Sequence, residues 1–253
     1  MAGGAGHVEH VMGTAVSFLA RGPWPDGALA DAVALLHDVD ATFSTYREDS
    51  QVRRLDRGDL VAADARSDVL EVLEACEALR VDTGGWFDAW AARAGEVAHL
   101  DPSGYVKGWA IDRAAAVLAR AGVTSYCINA GGDVLARAGG DEPPWRIGIR
   151  HPADPRAVVA VVAGRRLAVA TSAAYERGNH IVYPHRGSAP SGLRSLTVVG
   201  DDLALVDAYA TAGFAVGATG PAWLAARTPF GVFAVTDAGR AVWDDRFAAV
   251  RAA

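Results

Sequence analysis

Residues 100–113 read LDPSGYVKGWAIDR, an acidic loop with proline and glycine that runs directly into a helical pattern. Apolar residues recur at helical spacing over 109–118, and Gly122 supplies a stop signal, so the pattern predicts a helix that starts near Lys107. The free amides and positive dipole end of a helix favour phosphate or carboxylate, whereas Asp101 and the loop carbonyls suit a hard cation. Alternatively, the junction only caps a helix. This stretch alone does not decide between ligand binding and capping.

The composition is that of an ordinary globular protein. The 253 residues are 51% hydrophobic and 21% charged, with a formal net charge of −6 and two cysteines. The acidic balance, without a basic stripe, argues against a nucleic-acid-binding protein, and two cysteines argue against a disulfide framework or thiolate metal site. Because no apolar run reaches membrane-spanning length and no secretory leader is recognisable, we expect a cytoplasmic protein with no membrane partner.

Strand and helix patterns are intermixed along the chain without regular βαβ alternation. Strands are predicted at 8–19, 125–129, 134–138, 145–150, 157–163, 167–171, 180–183 and 193–199, and helices at 28–42, 68–81 and 203–217. A shorter helix has Pro221 in its first turn and ends before Pro229, and a hairpin over 231–244 closes the chain. Asp26 and Ser67 are the predicted N-caps of the first two helices. We predict an α+β fold in a single domain over residues 1–253.

Two polar side chains on the helix after Asp202 are suited to metal binding. Asp207 and Thr211 are four residues apart, so their carboxylate and hydroxyl lie on one face. If a backbone carbonyl and phosphate oxygens were added, these hard donors would form a Mg²⁺ site that relies on its substrate for some ligands. A solvated helix face is the alternative for this pair alone.

A histidine and an aromatic cluster are further candidates for chemistry. His180 is predicted at a strand end near basic groups, which suits a general base or, alternatively, a histidine hydrogen-bonded within a sheet. The aromatic residues of the segment 86–90 (WFDAW) follow a glycine pair and line either a ring-binding pocket or the core. Ser172 lacks nucleophile-elbow glycines, and no dinucleotide-binding glycine motif follows a strand, so a serine hydrolase and a nicotinamide fold are disfavoured.

A series of short motifs runs through most of the chain in one order. They are 12–14 (MGT), 43–47 (FSTYR) with 49–50 (DS), 84–88 (GGWFD), 101–113, 129–133 (NAGGD), 170–172 (ATS), 175–177 (YER), 180–181 (HI), and 207–208 (DA) with Thr211. Together they resemble the ApbE family of flavin transferases, the FAD:protein FMN transferases.

The resemblance implies an ApbE-like, T-fold-like architecture of mixed or antiparallel sheets with flanking helices and FAD in a cleft. It implies a Mg²⁺-dependent enzyme that cleaves the pyrophosphate of FAD, releases AMP and attaches FMN by a phosphoester to a Ser or Thr of an acceptor flavoprotein. Mg²⁺ would be held by the Gly104 carbonyl, Asp207 and Thr211, and His180 would be the base. The residues implied for FAD binding are Met12, Tyr46, Trp86, Phe87, Asp88, Asp101 and Lys107.

Three positions depart from the family pattern. Tyr183 stands where many relatives have an acidic residue near the base, Ala173 replaces a glycine, and Ala89 stands where proline is common. Three activities remain open: transfer of FMN to a protein, Mg²⁺-dependent hydrolysis of FAD to FMN and AMP, and FAD binding without catalysis. The presence of Asp207, Thr211 and His180 favours catalysis, while the acceptor and the oligomeric state are not indicated by the sequence.

Overall fold

Antiparallel strands and seven helices account for most of the chain that the computed structural model describes, namely residues 5–92, 95–173 and 190–252. The strands are β1 Ala5–Val11, β2 Thr14–Ala20, β3 Tyr126–Ala130, β4 Asp133–Arg137, β5 Trp145–His151, β6 Asp154–Gly164, β7 Arg166–Ala173, β8 Leu193–Gly200, β9 Gly231–Thr236, β10 Ala241–Trp243 and β11 Arg251–Ala252. The helices are α1 Ala28–Phe43, α2 Gln51–Asp56, α3 Ser67–Asp82, α4 Ser103–Arg120, α5 Leu203–Val216, α6 Gly220–Arg227 and α7 Asp245–Val250.

The strands form two sheets in which every observed pairing is antiparallel. The larger sheet has the order β1-β2-β3-β4-β7-β8-β9-β10, and the smaller sheet has the order β11-β6-β5. Successive side chains of β7 point to opposite faces: Ala168 and Ala170 join the core under the helices, whereas Leu167 and Val169 join the core shared with the smaller sheet. The larger sheet is therefore buried on both faces.

Helices α1, α4 and α5 cover one face of the larger sheet. The most buried side chains of this layer include Leu36 of α1, Ile111 and Leu118 of α4, and Leu203 of α5. The buried residues of α1 recur at three- or four-residue spacing, and those of α4 lie mainly on one side of the helix. Such patterns are expected of helices that pack on a sheet. On the opposite face of the larger sheet, Phe247 of α7 packs in the hydrophobic core between the two sheets.

The predicted α+β class with antiparallel sheets and flanking helices is confirmed. Most predicted strands and helices are present within one to three residues of their predicted ends, because their periodicity reflects real burial. The strand predicted at 180–183 lies outside the described residues. Within those residues, no helix is both long and apolar enough to cross a membrane.

The prediction of one strand over 8–19 is wrong, because these residues form the hairpin of β1 and β2. Met12 and Gly13 occupy the turn with φ values of 54° and 68°. Positive φ at both central residues matches the twist of the flanking strands, but methionine is rare in this conformation and gives no turn signal.

The start of α4 is also corrected. The helix begins at Ser103 rather than near Lys107, which lies in its second turn. Pro102 stands at the N-cap, and Asp101 Oδ1 accepts a hydrogen bond from the N–H of Ser103 at 3.0 Å. Proline and glycine, which usually break helices, are here compatible with a first turn whose amide groups need no intrahelical partner. Lys107 is therefore not at the dipole end of the helix.

Two predicted caps are wrong, and three short helices or strands, besides a 3₁₀ turn at Ala62–Asp64, were not predicted. Gly27, with φ 78°, precedes α1 in place of Asp26, and Ser67 is the first residue of α3 rather than its N-cap. The unpredicted elements are α2, α7 and β11, each of six residues or fewer. Such short segments show too little periodicity to be recognised without their tertiary contacts.

Candidate functional site

Helices α4 and α5 run antiparallel and bring two distant parts of the chain into contact. A Cβ atom added to Gly108 would lie 2.4 Å from the carbonyl oxygen of Leu203. One turn earlier in α4, a Cβ atom added to Gly104 would lie 3.5 Å from Thr211 Oγ1 and 3.3 Å from a ring carbon of Phe87. Glycine at position 108 therefore lets the backbone of α4 approach the backbone of α5 closely, whereas Gly104 faces the side chain of Thr211.

The ammonium group of Lys107 lies beside two carboxylates. It forms an ion pair with Asp133, and its Nζ atom lies 3.7 Å from Asp207 Oδ2. The side chains of Asp133 and Asp207 are only 3% and 7% exposed. Because buried carboxylates need a compensating cation, the Lys107 ammonium stabilises this pair of acidic groups.

Asp133 connects this cluster to the larger sheet. Its Oδ1 atom accepts a hydrogen bond from the N–H of Thr171 at 3.0 Å, and Thr171 Oγ1 lies 2.8 Å from Thr197 Oγ1. In the turn just before Asp133, the N–H of Gly132 donates to Asn129 Oδ1 at 2.8 Å. The β3–β4 turn, β7 and α4 therefore meet at one buried carboxylate.

The loop after α3 meets the start of α4. The N–H of Asp101 donates to the carbonyl of Ala89 at 2.8 Å, and the N–H of Trp90 donates to Asp88 Oδ1 at 2.9 Å. Burial, together with the charges of Asp101 and Asp88, raises the pKa of the Cys76 thiol to about 12. This thiol is therefore an unreactive core group.

The other residues expected to bind FAD differ in exposure. Phe87 is buried, Met12 and Trp86 are partly buried against the main core, and the Tyr46 ring is 93% exposed. The structure thus brings Phe87, Asp88 and Asp101 together at the start of α4, next to Gly104. The Tyr46 ring projects into solvent.

A cavity of about 560 Å³ opens beside Lys107. Its walls come from the β1–β2, β3–β4 and β5–β6 turns and include Gly13, Gly131, Arg150 and His151. A neighbouring cavity of about 430 Å³ shares Gly131 and Arg150 with it. Cationic side chains in these walls, in a protein of net charge −6, suit an anionic ligand.

The residues expected to hold Mg²⁺ fit such a role. Gly104 and Thr211 are adjacent, and Asp207 lies one helical turn before Thr211 on α5. Carbonyl, hydroxyl and carboxylate oxygens are the donors that Mg²⁺ prefers, with phosphate or water completing its octahedron. No group of three His, Cys, Asp or Glu side chains suited to a metal is present among the described residues.

The expected base, His180, lies outside the described residues, as does the departure at Tyr183. Two buried or half-buried carboxylates close to the site were not among the expected site residues. Asp133 belongs to a recognised motif, but only the fold reveals its pairing with Lys107. Asp112, in the opening stretch, accepts a hydrogen bond from the N–H of Ala204 at 2.8 Å. An acidic residue within an otherwise apolar helical face was the available signal for it.

Comparison with known proteins identifies the family. The model of the ApbE family matches residues 12–98 and 89–234, which is most of the chain. This chain belongs to the ApbE family. The family assignment expected from the short motifs is therefore confirmed.

Two curated ApbE-type relatives, both named FAD:protein FMN transferase, are similar over part of their length. The chain is 38% identical over 121 residues to that of Rhodobacter capsulatus, covering 45% of this chain and 23% of the relative. It is 32% identical over 124 residues to that of Vibrio cholerae, covering 45% of this chain and 37% of the relative. The matches thus span less than half the length of these relatives.

Solved structures share the fold over the whole chain. The ApbE protein of Thermotoga maritima has a TM-score of 0.86 at 20% identity, covering 99% of this chain and 100% of that one. The flavin transferase ApbE of Vibrio cholerae has a TM-score of 0.82 at 22% identity, again covering 99% and 100%. At these identities the likeness establishes the ApbE fold.

Proposed function

We propose that this ApbE family member is a Mg²⁺-dependent FAD:protein FMN transferase that acts on a Ser or Thr of an acceptor flavoprotein. The observation that carries the proposal is the contact between α4 and α5, which places Gly104 beside Thr211 and Lys107 beside Asp207. The names of the curated relatives support the same activity. FAD is the substrate and AMP the leaving product.

The proposed step is a phosphoryl transfer. The acceptor hydroxyl oxygen forms a bond to the FMN phosphorus while the anhydride bond to the AMP phosphate breaks, and the hydroxyl proton passes to His180. When bound by the Gly104 carbonyl, Asp207 and Thr211, Mg²⁺ neutralises pyrophosphate charge. Lys107 adds a positive charge in the same place, and the segments around Trp86, Phe87, Asp88 and Asp101, with Met12 and Tyr46, would bind the rest of FAD.

The experiment incubates the protein with FAD, Mg²⁺ and a candidate acceptor flavoprotein. Flavin fluorescence that remains on the denatured acceptor, with one AMP released per flavin attached, is the expected result. A Ser or Thr peptide carrying FMN, found by mass spectrometry, defines the bond. Omission of Mg²⁺ and the Asp207→Ala variant should each abolish labelling.

Two other activities are outcomes of the same assay. Free FMN and AMP in equal amounts, without labelled acceptor, indicate a Mg²⁺-dependent FAD pyrophosphatase. Bound FAD that stays intact with or without Mg²⁺ indicates a non-catalytic binding protein. Either outcome contradicts the transferase proposal for the acceptor tested.

The role of His180 is tested by replacing it with alanine. Loss of a positioned general base costs about 10²–10⁴ in rate, so turnover should fall by this factor while FAD binding changes less than about twofold. His185→Ala, five residues later, is the matched control and should retain transfer. Full transfer by His180→Ala would mean that another group accepts the proton.

A further inference from the structure

A hydrogen bond joins the middle of α4 to the first turn of α5, 92 residues later in the sequence. Asp112 Oδ2 accepts from the N–H of Ala204 at 2.8 Å. Near this bond, Gly108 meets Leu203 so closely that no Cβ atom fits between them. Asp112 and Gly108 are four residues apart and lie on the same face of α4.

Helix α5 does not need Asp112 to begin where it does. Its own N-cap is Asp202, whose Oδ1 atom accepts from the N–H of Leu205 at 2.9 Å. The carboxylate of Asp112 is a second acceptor at the same helix end, supplied by another helix. Burial raises the pKa of Asp112 to about 6, in accord with a side chain held away from water between the two helices. The bond therefore links α4 to α5.

The link has a direct bearing on the residues proposed to hold Mg²⁺. Ala204 precedes Asp207 by three residues and Thr211 by seven, which correspond to about 4.5 Å and 10.5 Å along a helix. A helix is stiff over this length, so fixing the position of its first turn also fixes the positions of Asp207 and Thr211 along α4. Gly104 lies on α4 two turns before Asp112.

We propose that Asp112 is a positioning residue that sets the register of α5 against α4 and thereby holds Asp207 and Thr211 opposite Gly104. The inference rests on the metal ligands in the proposed function and adds to them a residue that touches neither metal nor substrate. This positioning role requires only an acceptor oxygen at position 112. An Asn side chain supplies such an oxygen, whereas an Ala side chain does not.

The test measures Mn²⁺ binding to the protein in the presence of saturating FAD, whose phosphates supply ligands to the proposed site. Binding is read from the loss of the free-ion electron paramagnetic resonance signal relative to FAD without protein, with Mn²⁺ standing in for Mg²⁺. Four variants are compared with the wild type: Asp112→Ala, Asp112→Asn, Asp207→Ala and Tyr126→Phe. The last removes the hydrogen bond from Tyr126 to the carbonyl of Ala115, which ties α4 to the sheet and not to α5. It is the matched control for a general loosening of α4.

We expect Asp112→Ala to weaken Mn²⁺ binding about tenfold, as is common for residues that orient metal ligands, and Asp112→Asn and Tyr126→Phe to bind like the wild type. Wild-type affinity in Asp112→Ala, or equal loss in Asp112→Asn, overturns the inference. Equal loss in Tyr126→Phe does so as well, because the effect would then be general. If Mn²⁺ binding is lost in Asp207→Ala but kept in Asp112→Ala, the positioning role is rejected while the proposed metal ligands are retained. Absence of saturable binding in the wild type overturns both.

Hydrogen exchange gives a second readout that needs no metal. We expect the amides of the first turn of α5 to exchange at least tenfold faster in Asp112→Ala than in the wild type, and Asp112→Asn to restore protection. Asp112→Ser, which is too short to reach Ala204 but remains polar, replaces Asp112→Ala if the latter does not fold. Unchanged protection in the variant used contradicts the register role.

Discussion

The side chain of Lys107 has two carboxylate neighbours, each from a different part of the chain. Asp133 starts β4 and Asp207 lies in α5, and both are almost fully buried. Desolvation of a carboxylate is costly, and an uncompensated charge in such a place is strongly destabilising. The ammonium group therefore contributes to stability as well as to the proposed binding of an anionic substrate.

Removal of this ammonium group should destabilise the protein. We expect Lys107→Ala to lower the free energy of unfolding by about 3 kcal/mol at neutral pH, measured by urea denaturation. Arg80→Ala is the control, because it breaks an ion pair with Glu77 in which both side chains are largely exposed, and such pairs contribute little. Equal losses in the two variants would show that Lys107 does not compensate buried charge.

The pKa of Asp112 predicts a pH dependence of stability. Burial, and to a lesser extent the charge of Asp202, raises this pKa from 3.8 to about 6, against the opposing effects of the hydrogen bond from the N–H of Ala204 and of the charge of Arg137. The folded state thus holds the proton more tightly than the unfolded state, so the contribution of Asp112 is most favourable below about pH 4 and is lost as pH rises through 6.

Replacing Asp112 by Asn removes this titration and keeps an acceptor for Ala204. Urea denaturation at pH 4.5 and pH 7.5 should show that the variant gains stability relative to the wild type by roughly 2–3 kcal/mol at the higher pH. Val242→Ala, at an exposed position, removes no ionisable group and should give a difference that hardly changes with pH. A constant difference for Asp112→Asn as well would mean that Asp112 is not titrating in this range.

Among the helices, the α4–α5 contact depends on a glycine. A Cβ atom at position 108 would lie 2.4 Å from Leu203 O and 2.8 Å from Ala204 Cα, and backbone atoms cannot move aside as a flexible side chain can. We expect Gly108→Ala to separate the helices, to destabilise the protein by about 1–3 kcal/mol and to weaken Mn²⁺ binding.

The control for this substitution is Gly6→Ala in β1. A Cβ atom there would lie 3.8 Å from the nearest heavy atom, which is ordinary van der Waals contact. Thermal unfolding should therefore show a clear loss for Gly108→Ala and little change for Gly6→Ala. A Gly108→Ala variant that matches the wild type in both stability and Mn²⁺ binding would contradict a close helix contact.

The sequence predicted long periodic elements well and local backbone exceptions poorly. Helices α1, α3 and α5 were recognisable because burial imposes a three- to four-residue period, and the glycine-rich β3–β4 turn has an obvious composition. The turn at Met12 and the start of α4 at Ser103 were not, because the first uses a residue that rarely adopts positive φ and the second uses residues that usually end helices.

For the candidate site, residue types and spacing made Asp207 and Thr211 candidate metal ligands, and the structure places Gly104 beside Thr211. Contacts between segments far apart in sequence could not be predicted in this way. The pairing of Lys107 with Asp133 and the bond from Ala204 to Asp112 depend on how the sheets align, and no local pattern encodes that alignment.

At the scale of the whole molecule, the two hydrophobic cores share the larger sheet. Phe247 is fully buried between the sheets and stacks on Phe233 with ring centroids 5.0 Å apart. The other face of the same sheet carries the helices of the candidate site. If residues 1–253 form the single domain that we expect, a substitution that disrupts one hydrophobic core should also destabilise the other.

This coupling is tested with Phe247→Ala. We expect a loss of about 3–5 kcal/mol, with urea transitions that coincide when followed by circular dichroism and by tryptophan fluorescence, in the variant as in the wild type. Val242→Ala, in the exposed strand β10, is the control and should cost much less. Two separate transitions would show that the chain contains more than one unfolding unit.

The antiparallel contact of α4 with α5 also affects how the chain folds during its synthesis. The partners Gly104 and Thr211, like Asp112 and Ala204, are about 100 residues apart, so a ribosome that adds 5–20 residues per second exposes α4 some 5–20 s before α5. During that interval the face of α4 that carries Gly108 has no helix to cover it. A nascent chain stopped after β7 should accordingly be captured by chaperones more readily than one that extends beyond α5.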